Sequence, residues 1–147
     1  MSDEMNNMFT SEQLMNQAQG NATAIGLATV AYLRDNNLNV NEYSLSVGQR
    51  FAPGWAGMQD RGARNIAQAA ALNMVSVGGT LESFSGDDSR AEAVISGWPE
   101  ADLLAFFGLD YADFESFWNV FQPIADSLGV QYSWQRQGDR VTMTFSR

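Results

Sequence analysis

Trp55, Trp98, Trp118 and Trp134 fall in four different stretches of a 147-residue chain that also holds nine phenylalanines. Aromatic side chains at that density can enclose a planar or apolar molecule, with indole N–H groups as polar handles. The same residues can be ordinary core, and Phe114, Phe117, Trp118 and Phe121 stand at the helical spacing that favours packing. Trp98, between the end of a predicted strand and Pro99, is the better pocket candidate. Trp118, Tyr132 and Trp134 would line such a site, with Trp55 at the bend before it.

Carboxylates form a second group. Glu82, Asp88 and Glu92 surround a predicted hairpin, with Arg90 beside them. Paired carboxylates in an apolar site split their pKa values and serve as acid and base without histidine. A small hydrolase, isomerase or lyase built this way would use Glu82, Asp88 and Glu92, with Tyr132 as a possible proton donor. Against this, Asp87-Asp88-Ser89 is ordinary turn chemistry, and the two glutamates can be solvated strand positions. Arg50 and Arg64 flank the bend at Phe51-Ala52-Pro53-Gly54-Trp55, where a guanidinium could orient a ligand carboxylate.

Composition narrows the chemistry further. The 17 acidic residues face eight basic ones, all arginine, for a net charge of -9, and lysine, histidine and cysteine are absent. Schiff bases, thiol nucleophiles, Ser-His-Asp triads, zinc fingers and His-ligated haem are excluded within one chain. Only oxygen ligands remain for a metal, and no calcium-loop pattern is present, so neither metal nor cofactor is expected. A strongly acidic chain is a poor ligand for nucleic acid or an anionic membrane. No basic n-region precedes the apolar stretch 22–33, which makes the cytoplasm the expected compartment.

These residues must be positioned by a single domain over 10–147, preceded by an arm over 1–9. Thr10 with Gln13 forms a capping box for a helix to about residue 36; Asn41 caps a second over 42–52, and a third runs over 55–77 to Gly78-Gly79. Strands follow over 80–85 and 91–96, then a short helix over 100–107. Asp110 caps a longer helix to Leu128, kinked at Pro123, and strands over 130–136 and 140–146 close the chain. Three helices, then ββ-αα-ββ, make an α+β fold with a small antiparallel sheet covered by helices.

From Tyr43 onward the layout resembles the 4-vinyl-reductase-type small-molecule-binding domains and the related aminothiazoline-carboxylate hydrolase-like proteins. The residues that carry this are Val47-Gly48-Gln49-Arg50-Phe51 on a helix, Gly78-Gly79-Thr80 entering a strand, and Gly138-Asp139-Arg140-Val141-Thr142-Met143-Thr144-Phe145 at the close. Those families often carry cysteines near the position of Trp98-Pro99 and in the last strand, and both are missing here. The resemblance therefore implies the shape of a ligand-binding α+β module, without a thiol or metal role.

The favoured expectation is cofactor-independent binding of a small apolar or aromatic molecule, with Arg50 or Arg64 holding any polar end. The carboxylate enzyme is the alternative. A third reading is a homo-oligomeric assembly subunit, since the small-residue face around Ala69-Ala70-Ala71 and the last strand could each meet a second copy.

Overall fold

The computed structural model describes residues 8–147. The expected arm over 1–9 lies outside them except for Met8 and Phe9, both exposed. Helix α1, Ser11–Asp35, starts at the Thr10 capping box: the Thr10 hydroxyl accepts from the Gln13 N–H, and the Gln13 side chain accepts from the Thr10 N–H. Only Thr23, Leu27 and Val30 of α1 are fully buried, whereas Leu14 and Ile25 are exposed.

Helix α2, Val40–Phe51, begins two residues earlier than expected, because Asn39 and not Asn41 is the cap. The Asn39 side chain accepts from the Glu42 N–H at 3.0 Å, whereas the Asn41 side chain accepts from Asn119 at 2.7 Å. The expected third helix is broken. A 3-10 helix spans Ala52–Met58, and α3, Ala63–Ser76, starts afresh. Pro53 suits the first turn of a helix, but Gly54 and Gly57 disfavour its continuation. The gap between the two helices is held by Arg147, whose guanidinium donates to the carbonyls of Gln59 and Arg61. The Ala63 N–H at the start of α3 donates to the Asp88 carbonyl at 2.9 Å.

The sheet has four antiparallel strands, β1 Thr80–Gly86, β2 Arg90–Ser96, β3 Gln131–Gln137 and β4 Arg140–Ser146, in the order β1-β2-β4-β3. Two hairpins thus meet through their second strands, with Ala93 opposite Met143 and Ile95 opposite Val141. Period-two alternation turns Ala91, Ala93, Ile95, Val141, Met143 and Phe145 inward, where all are buried. The other face carries Glu92, Thr142 and Thr144, the usual arrangement of an antiparallel sheet with one covered side. α3 lies over β1, β2 and β4, and a later helix lies over β3.

Between the hairpins run α4, Ala101–Phe106, α5, Tyr111–Phe114, a 3-10 helix over Glu115–Val120, and α6, Phe121–Ser127. The expected kinked helix to Leu128 is instead three pieces. The Pro123 ring would clash with the carbonyl four residues back, at Asn119, if the α-helix ran through it. In the observed arrangement Pro123 sits in the first turn of α6, where a missing N–H has no intrahelical partner to lose. Gly48 lets α2 approach this break: a Cβ there would stand 2.1 Å from the Val120 carbonyl oxygen and 2.9 Å from Pro123 Cδ. The chain is α+β, and no helix of the described residues is long and apolar enough to cross a membrane.

Candidate functional site

The break in the aromatic helix builds the site. In a 3-10 helix residues three apart eclipse each other. Phe114 and Phe117 accordingly stack, with ring centroids 5.2 Å apart and planes at 27°, and Val120 follows them on the same side. Together with Phe121 and Ile124 of α6 they form the floor of a pocket of about 390 Å³. Its walls are Gly26 and Thr23 of α1, Trp55 and Phe51 at the bend, Met74 and Val77 at the end of α3, and Trp98. Among the described residues, none that lines it is charged.

Trp98 and Trp55 hold opposite positions in this wall. Trp98 is buried and packs edge-on to Phe114 at 5.2 Å and to Trp118 at 5.6 Å. Its indole N–H donates to Thr23 Oγ1 at 3.0 Å, and that hydroxyl donates to the Val77 carbonyl at 2.9 Å. Trp98 is therefore locked, and its polar handle is already used. Trp55 is half-buried, edge-on to Phe121 at 6.3 Å, and its indole N–H has no partner among the described residues. At the rim, Phe51 is 60% exposed, beside Asn73 and Ser76.

Trp118, Tyr132 and Trp134 lie behind the floor instead of lining the pocket. The Trp118 N–H donates to the Tyr111 hydroxyl at 2.9 Å, and the Tyr132 hydroxyl donates to the Trp118 carbonyl at 2.9 Å. The Trp134 N–H donates to Asn119 Oδ1 at 2.7 Å, and Asn119 in turn donates to Asn41. These bonds tie β3 and α2 to the 3-10 segment and fix the orientation of the stacked phenylalanines. Burial pushes the Tyr132 phenol well above its ordinary pKa. Tyr111 is also raised by burial, against the lowering effects of the Trp118 N–H and of Arg136, whose guanidinium lies 4.4 Å over its ring.

The arginines are elsewhere. Arg50 is exposed and lines no part of the pocket, while Arg64 lies on the far side of α3, donating to the Gly86 carbonyl at 2.7 Å and covering the Phe84 ring. The expected carboxylates are not brought together. Glu82 stands at an irregularity in β1 between Leu81 and Ser83, next to Ile95, and accepts from the Ser96 hydroxyl. Glu92 pairs across the ladder with Ser85 and accepts from Arg90 at 3.0 Å. Two to three residues of β2 separate their positions, about 7–10 Å along the strand. Asp88 is exposed in the turn and contributes its backbone carbonyl to α3. Asp87 shapes that turn: its carboxylate accepts from the N–H groups of Ser89 and Arg90, which lowers its pKa. Among the described residues, no three carboxylates gather in a way that could hold a metal ion.

Gly26, Met74, Val77 and Ile124 line the pocket without being expected there, and Phe114, Phe117 and Phe121, whose spacing favours packing, line it as well. For Gly26 a signal existed, because a glycine inside a long helix is unfavourable by about 1 kcal/mol relative to alanine and calls for a reason. A Cβ at Gly26 would meet nothing within 4 Å, so close packing does not supply that reason. No protein-family model matches the chain, and no curated protein matches it.

Proposed function

We propose that this chain is a binding module for a small, neutral, apolar or aromatic organic molecule, held without a cofactor between α1, the Trp55 bend and the phenylalanine floor. The observation that carries the proposal is the uncharged aromatic pocket of about 390 Å³, within the range of about 300–1,000 Å³ usual for small-molecule sites. Its buried polar groups, Thr23 and the Trp98 N–H, already satisfy each other, so an apolar guest leaves none of them orphaned. A guest with one polar group would direct it to the rim, toward the Trp55 N–H or the Asn73 side chain. An anionic guest is disfavoured, because no arginine lines the pocket. The resemblance to the 4-vinyl-reductase-type and aminothiazoline-carboxylate hydrolase-like domains supports the same kind of site. The proposed setting is the cytoplasm.

Titrating naphthalene and cyclohexane derivatives into the full chain, read by tryptophan emission and by thermal unfolding, tests the proposal. Saturable change in emission from tryptophan, with a raised unfolding midpoint, is the expected result. If neutral guests across this range change neither readout, the proposal is wrong.

A further inference from the structure

The first eight residues of α1 are exposed along their whole length, and Leu14 and Met15 are 57% and 56% exposed. Phe9, just before the helix, is 56% exposed. These two turns rest on the capping box and on the helix that follows, and covering their apolar side chains would add stability. α1 is one continuous helix of 25 residues, so its start cannot fold back on its own domain.

A groove of about 650 Å³ lies on the far side of α3, between that helix and β1. Leu72, Val75, Leu81 and Phe84 form its apolar surface, with Leu72 68% exposed, and Arg61 and Arg64 stand at one end. Among the described residues, no carboxylate lines it. The projecting helix and the groove adjoin: Gln19 donates to the Val75 carbonyl at 3.4 Å, and Met15 lies one turn earlier on the same face of α1. Their charges are complementary. No arginine precedes Arg34, so the charged side chains before it are Asp3, Glu4 and Glu12, whereas the charged residues among the described lining of the groove are arginines.

We propose that a second copy of this chain occupies the groove, each copy laying Phe9, Leu14 and Met15 on Leu72, Val75 and Leu81 of the other, with Glu12 toward Arg61. Adjacent arm and groove on one side of the molecule allow a two-fold axis to satisfy both at once, giving a closed dimer. Pairing through the β1 edge is a poor competitor, since the irregularity at Glu82 interrupts the strand and places a charge there. The proposal does not depend on what the aromatic pocket binds.

Light scattering on the full chain at tens of micromolar and low salt is the test, with a mass twice 16.1 kDa expected. L14E combined with M15E raises the dimer dissociation constant at least about a hundredfold, because two apolar seats are lost in each half of the interface. R61E also dissociates the dimer, and adding E12R restores it. A monomeric wild type overturns the proposal, as does a dimer that survives L14E with M15E or an R61E monomer that E12R does not rescue. Circular dichroism checks that each variant folds, and if the arm variant does not, the Arg61 and Glu12 pair alone decides.

Discussion

Gly26 offers the sharpest perturbation, because helix energetics and pocket occupancy respond to it in opposite ways. It sits inside α1, where replacing glycine by alanine gains about 0.5–1 kcal/mol, and the new Cβ meets no atom within 4 Å. At about 2–4 °C per kcal/mol for a domain of this size, Gly26→Ala should raise the unfolding midpoint by about 1–4 °C. Gly26→Phe extends a ring into the pocket of about 390 Å³ while keeping part of the helix gain. A guest at about 100 times its dissociation constant stabilises the wild type by about 2.7 kcal/mol, or about 5–11 °C on the same scale. That shift should persist in Gly26→Ala and vanish in Gly26→Phe. Differential scanning fluorimetry with and without naphthalene measures all of these. Destabilisation by Gly26→Ala refutes the packing argument, and a full ligand shift in Gly26→Phe refutes the assignment of the pocket.

Gly48→Ala should destabilise by about 1–3 kcal/mol or more, because its Cβ has backbone to displace at Val120, whereas Gly20→Ala, with open space around it, should be neutral or stabilising; denaturant melts distinguish them. Tyr132→Phe leaves the Trp118 carbonyl without its donor and should cost about 1–3 kcal/mol by the same melts. With its folded pKa raised, Tyr132 lends stability in full below the ordinary tyrosine value of about 10 and loses it as pH rises further. Its tyrosinate absorbance should therefore appear only with alkaline unfolding. Asp87 has the opposite sign: its lowered pKa means the turn is supported above the ordinary carboxylate value of about 3.9 and loosens as pH falls through the folded value. The protection of the Ser89 and Arg90 amides, measured relative to unfolded-chain exchange at the same pH, should fall with acid and in Asp87→Ala, and less in Asp87→Asn, which keeps an acceptor.

The sheet was legible because alternation in β4 and the turn residues at 86–89 and 137–139 are local signals that tertiary contacts did not override. Helix boundaries were less so. Asn39 and Asn41 are chemically identical caps, and only the demand of Asn119 on Asn41 decides between them. The segment after Asp110 has a helical hydrophobic pattern, but Pro123 and the approach of Gly48 divide it, and the 3-10 turn sends Phe114 and Phe117 to the pocket while Trp118 goes to the core. Trp55 and Trp98 were visible as pocket candidates by their positions at a bend and a strand end. Arg50 and Arg64 looked near the site because they flank the same bend, yet the direction of a helical side chain depends on a packing angle that sequence spacing alone does not contain. The two glutamates looked close because both belong to one hairpin, but the register that sets Ser85 opposite Glu92 places Glu82 level with Val94 and Ile95, and that register depends on how the turn closes.

The proposed function requires the space between Gly26, Trp55 and Phe117 to accept an apolar guest. A crystal of the full chain under xenon pressure tests it most directly, since apolar cavities of this kind take up xenon readily. Xenon is expected against the stacked Phe114 and Phe117 rings in the wild type, and none there in Gly26→Phe. Ordered water filling that space, with no xenon against the rings, would contradict it.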